Sequence, residues 1–156
     1  MQQSDERIQP LWQQLATVGA FFYSAQPGPR SQTGWAGQGN GQVTLEWHAE
    51  DELHFIEQGE FCADGGVPVA MFNRFIWQRN EQGIRLSHGR RGERVFLFEL
   101  QPQADGCWRS VADHLCINDL YSGQLRPLEQ GFELIWRING PKKDECLIYR
   151  YHPDKT

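Results

Sequence analysis

Residues 52–79 read ELHFIEQGEFCADGGVPVAMFNRFIWQR. Large apolar residues fall on one parity, Leu53, Phe55 and Phe61, and after a short interruption the pattern resumes at Met71, Phe75 and Trp77. A period of two puts alternate side chains on opposite faces of a strand, so each run reads as one half-buried strand. The interruption, ADGGVP at 63–68, has the paired glycines and proline of a turn. Strands joined by so short a link are antiparallel neighbours, because a parallel return needs a crossover of about a dozen residues or more.

The same reading extends outward to ten strands, at 20–26, 34–48, 52–62, 69–79, 83–89, 94–101, 107–116, 119–126, 131–139 and 144–151. No segment between them is long or periodic enough to be a crossover helix, which excludes a parallel α/β sheet. Before the strands, Leu11, Leu15 and Val18 stand at i, i+4 and i+7, with Pro10 suited to a first helical turn and Gly19 to the position after the last; this predicts one helix over 10–18. An open ten-stranded meander would leave two unpaired edges, and closure removes both. Ten is even, so the last strand runs opposite to the first and can pair with it. The expected fold is all-β: an antiparallel up-and-down β-barrel of about ten strands over 20–151, in a single domain spanning 1–156, with the short N-terminal helix closing one end. A two-sheet sandwich is the alternative.

Among 156 residues, nine Phe, six Trp and four Tyr are too much aromatic bulk for a disordered chain, and a net charge of −5 argues against a protein that tracks nucleic-acid backbones. No apolar run approaches the roughly 20 residues needed to span a bilayer, and the start MQQSDERIQPLW lacks a signal peptide's basic and apolar regions. The expectation is a soluble cytoplasmic protein with neither nucleic-acid nor membrane partners. Cys62, Cys107, Cys116 and Cys146 form no C-x-x-C pair, so free and mostly buried thiols are expected. The histidines show no metal-binding spacing, and no metal site is expected. Nucleophile-elbow, P-loop and dinucleotide motifs are absent from the sequence. Asp144-Glu145 and Glu50-Asp51-Glu52 read as solvated turns.

In a meander, alternate connections lie at the same end of the barrel. One end receives the short connections 49–51, 80–82, 102–106 and 127–130, rich in Asp and Glu, and the helix is expected to cover it. The other receives the glycine-rich stretch from 27, then 63–68, 89–93, 117–118 and 140–143, with Arg30, Arg90, Arg91, Lys142 and Lys143. A basic, loop-rich mouth over an apolar lumen would concentrate an anion. Strand parity points Trp47, Phe96, Phe98, Trp77 and Trp136 inward, together with the polar Glu57, Asn73 and His88. A buried polar group needs a partner, a water or a ligand. Asn73, Trp77, His88, His114, Tyr121 and Trp136 are therefore the expected ligand-binding residues, with His114 giving way to Asp113 under the other register, and Arg74 and Arg137 on the outer parity.

Over nearly its whole length this arrangement resembles the calycin architecture of the lipocalin and fatty-acid-binding barrels. Two stretches, HLCINDLY at 114–121 and WRINGPKKD at 136–144, are similar to a small uncharacterised bacterial family of about this length without an established activity. The expected function is a small-molecule-binding barrel for an apolar or amphipathic ligand with an anionic or polar head. Binding of haem through His88 or His114 is a variant of it. The alternatives are an isomerase- or hydrolase-type enzyme using His114 or His88 as acid or base with Tyr121 as a donor, and an interaction module with a filled barrel.

Overall fold

The structure is a computed structural model that describes residues 5–116 and 118–154. It contains helix α1 (Ile8–Leu15) and strands β1 (Ala20–Pro27), β2 (Gly37–Ala49), β3 (Glu52–Ala63), β4 (Pro68–Arg79), β5 (Ile84–Arg90), β6 (Glu93–Pro102), β7 (Trp108–Ser110), β8 (His114–Cys116), β9 (Asp119–Pro127), β10 (Phe132–Asn139) and β11 (Asp144–His152). Ile117, in the expected turn 117–118, lies outside the described residues. All strands join one antiparallel sheet, and the pairing of β1 with β11 and of β9 with β10 closes ten of them into a barrel.

The eleventh strand comes from a break in the segment read as one strand over 107–116. β7 pairs with β6 and β9 and continues the wall, the Val111 N–H still donates to the Glu99 carbonyl of β6 at 3.2 Å, the chain then leaves the ladder, and β8 pairs with β9. The wall is thin at this seam, where, among the described residues, only Trp108 and Arg109 of β7 are paired with β9. Side chains make up part of the deficit: the Gly123 N–H donates to Ser110 Oγ at 3.1 Å. The Phe98 ring fills the space that a Cβ on Gly123 would need.

Helix α1 begins two residues before, and ends three before, the expected 10–18. Pro10 is its third residue, still within the first turn, where no backbone N–H has an intrahelical partner to lose. Leu11, Trp12 and Leu15 are buried as expected, and Val18 packs with them from the turn that follows. The helix lies across the short-loop end. Trp12 Nε1 donates to the Glu50 carbonyl at 3.3 Å, Gln14 Nε2 reaches the carbonyls of Leu128 and Gly131, and the Asp5 N–H donates to the Glu81 carbonyl at 2.9 Å.

Above the helix the lumen is solid. Leu53, Trp77, Leu86 and Phe98 are successive cross-strand partners and essentially unexposed, and Phe55, Phe132 and Tyr151 pack over them edge-to-face or tilted. Burying each such side chain contributes about 1.5–3 kcal/mol, so this layer holds the fold together. Two expected lumen residues lie elsewhere. A bulge opposite Leu86 and Ser87 inserts Leu97 into the core and reverses the parity beyond it, so Phe96 packs under the Arg85 guanidinium instead of inside. Trp47 stands at the rim, half-exposed, with its ring edge-on to Trp12.

Candidate functional site

The lumen opens at the opposite end into a cleft of about 450 Å³. Its walls are aromatic: Tyr23 and Tyr149 are packed ring on ring at 4.7 Å, Tyr23 meets Phe61, and Phe75 stands edge-on to Trp136. Residues on β1 and β2 explain the space. Gly39 is the cross-strand partner of both Tyr23 and Phe61, so the wall between those rings carries no side chain. A larger hollow of about 610 Å³ is an open groove outside the barrel, between α1 and the β2–β3 hairpin, and does not reach the lumen residues.

Polar groups enter this apolar cleft at a few points. Asn73 and His88 line it, and His88 lies face-on to Phe75 at 5.1 Å. Burial lowers the His88 pKa, and the nearby Arg90 charge lowers it further, so near neutral pH the imidazole is uncharged and offers one donor and one acceptor. Trp136, also in the wall, has its Nε1 buried without a hydrogen-bond partner among the described residues. Glu57 is the cross-strand partner of Asn73 and wholly buried: Oε2 accepts a hydrogen bond from the Tyr151 hydroxyl at 2.5 Å, while Oε1 has no partner among the described residues. Burial pushes the Glu57 carboxyl up to about 8, so it is mostly protonated at neutral pH. Desolvation likewise raises Tyr23 to about 12, helped by the negative charge of Glu145.

The connection after β1 folds over one side of the mouth, and a carboxylate holds it there. Glu145, expected in a solvated turn, is buried: its Oε1 accepts from Ser31 Oγ at 2.8 Å and from Thr33 Oγ1. Its parity explains the burial, since it is the cross-strand partner of the inward-facing Ile138. The Gln32 N–H donates to the Lys142 carbonyl at 2.9 Å, and Trp35 reaches the cleft with Lys143 Nζ over its ring at 5.4 Å.

Of the six expected ligand-binding residues, Asn73, His88 and Trp136 line the cleft. Trp77 is sealed in the layer beneath. Tyr121 packs against the core beside the cleft, 6.4 Å from Trp136 ring to ring, without lining it. His114 is carried off the wall by β8 and stands edge-on to Phe96, away from the cleft. Among the basic mouth residues, Arg30 pairs with Asp144 at 3.7 Å and Lys143 with Asp119 at 3.0 Å. Arg91 sits in the left-handed region (φ 53°) of the two-residue turn Arg91-Gly92 and faces a hollow on the outer wall. Arg90 and Lys142 form no ion pair among the described residues, and Arg90 lies near enough to His88 and Tyr121 to act on both. The mouth is thus less positive than the sequence suggests. Missed by the sequence reading were Tyr23 and Tyr149, which follow inward parity, and Trp35, whose role depends on the fold of a loop; Phe61 was on the inward parity but not among the expected ligand-binding residues. The four cysteines are free, as expected, but half-buried.

Residues 28–153 match the model of a family of unknown function, DUF6314. The chain belongs to this family. The matched segment begins at the loop over the mouth and runs through β2 to β11, so it includes most of the barrel and every cleft residue except Tyr23. No curated protein and no solved structure matches the chain.

Proposed function

We propose that this member of DUF6314 is a binding barrel for a small, amphipathic, largely planar molecule, held in the cleft with its apolar body among Tyr23, Phe61, Tyr149 and Trp136. The observation that carries this reading is a half-filled lumen: solid near the helix, hollow at the loops, and lined there by aromatic rings with the polar Asn73 and His88 among them. A volume of about 450 Å³ lies within the usual range of small-molecule pockets. The ligand's polar or anionic head is directed to Asn73 and the neutral His88, with Arg90, close enough to lower the His88 pKa and in no ion pair among the described residues, supplying positive charge. Organisation as a closed meander with one plugged end supports kinship with the calycin barrels. Four free thiols suit a reducing compartment such as the cytoplasm.

The test is a fluorescence titration of the full chain with a panel of planar amphipathic acids and their neutral analogues, in which bound ligand quenches Trp136. His88→Ala and Asn73→Ala should each weaken binding by about tenfold, the equivalent of one good hydrogen bond. His114→Ala should leave it unchanged. Equal affinity in all three variants would place the ligand elsewhere.

A further inference from the structure

On the outer face of the wall, away from the cleft, Glu46 and His48 of β2 and His54 of β3 bring one potential ligand atom each to within 4.8 Å of the others. Glu46 and His54 are cross-strand partners, so the sheet itself sets this spacing. His54 is held in one orientation: its Nε2–H donates to Glu52 Oε2 at 2.8 Å, which leaves Nδ1 with its lone pair directed toward Arg74. A carboxylate on the far ring nitrogen is the usual support behind a metal-binding histidine, because it fixes the tautomer and raises the basicity of the ligating nitrogen. A cation already stands at the focus of the cluster: Arg74 Nη1 lies 2.7 Å from His54 Nδ1 and 3.2 Å from Glu46 Oε1, and Glu46 Oε1 is in turn 2.6 Å from His48 Nε2.

We propose that Glu46, His48 and His54 form a surface site for a divalent transition-metal ion, with the Arg74 guanidinium holding the cation position until an ion displaces it. The donor set, two imidazoles and a carboxylate, suits zinc and its neighbours rather than magnesium or calcium. Arg74 and Glu46 are partly exposed, so the guanidinium has room to swing into solvent. His48 and His54 lie stacked at 3.6 Å with nearly parallel planes, and the exposed His48 must tilt to direct its nitrogen at an ion about 2.0–2.1 Å away. Water completes the coordination, leaving a position open to an exogenous ligand.

The experiment is calorimetric titration of the untagged full chain with zinc chloride, paired with the visible absorption of the cobalt-substituted protein. The parent should bind one ion. His48→Ala and Glu46→Gln, both at exposed positions where folding is not at stake, should abolish that binding. Glu52→Gln should weaken it by about 10- to 100-fold through loss of the support behind His54. Arg74→Met, which removes the resident cation, should tighten it. Absence of one-to-one binding in the parent, binding by His48→Ala equal to the parent's, or weaker binding by Arg74→Met would each overturn the proposal. None of these outcomes bears on the cleft, since the two sites share no residue.

Discussion

Glu57 is a carboxyl buried inside an apolar barrel, with one oxygen bonded to Tyr151 and the other without a partner among the described residues. Desolvation favours its neutral form, and the consequence for stability has a definite sign. Below its ordinary value of 4.5 the group is protonated whether the chain is folded or not. Between there and about 8 the folded chain keeps a proton that the unfolded chain has released, so stability falls as pH rises through that window. Glu57→Gln keeps an acceptor for Tyr151 and removes the titration. The parent should therefore lose more stability than Glu57→Gln between about pH 5 and pH 8, measured by urea denaturation at each pH, and parallel curves would show that the carboxyl is not desolvated. At this scale alternation alone was enough to place Glu57, Asn73 and His88 inside. It could not place Phe96, because a one-residue bulge reverses parity without changing composition. Alternation does put Glu145 on the inner parity with Leu147, Tyr149 and Tyr151; what it could not find are the partners of the buried carboxylate, Ser31 and Thr33 of a distant loop.

Helix α1 works as a plug. Its apolar stripe, Leu11, Trp12 and Leu15, closes the end at which the barrel's own side chains run out, and its side chains hydrogen-bond to carbonyls of the short loops, through Trp12 and Gln14, and to Arg79 of β4, through Gln9. Leu15 is completely buried, and truncating it opens a cavity between helix and lumen. Leu15→Ala should cost about 2–5 kcal/mol in equilibrium unfolding, while Gln13→Ala, on a less buried face, should cost little. A loss below about 0.5 kcal/mol for Leu15→Ala, the scale of an ordinary surface substitution, would contradict the plug. The helix was legible from three residues at helical spacing, although its ends moved because Pro10 fits anywhere in a first turn. The break between β7 and β8 was not legible. Val111-Ala112-Asp113 carries neither proline nor glycine, and its departure from the ladder follows from which strands compete for β9. His114 rode on that break, and its expected place in the lumen went with it.

For the molecule as a whole, sorting loops by alternate ends was sufficient to predict a tight helix-covered end and a loop-rich mouth, because closure of an even-numbered meander leaves no other arrangement. Charge at the mouth was harder to read. The sequence shows five basic residues there, but Asp144 and Asp119, distant along the chain, neutralise Arg30 and Lys143. On the proposed reading, selectivity would rest less on bulk charge than on Asn73, His88 and Trp136, with Arg90, which forms no ion pair among the described residues, beside them. The half-filled lumen is the feature on which the functional reading stands, and native mass spectrometry of the chain purified from its own host tests it most directly. The comparison is with Met71→Trp, which places an indole in the cleft and is checked for parental strand content by circular dichroism. The parent is predicted to carry a small molecule that dissociates on activation and that Met71→Trp lacks; a retained molecule present equally in both proteins, or none in either, would contradict it.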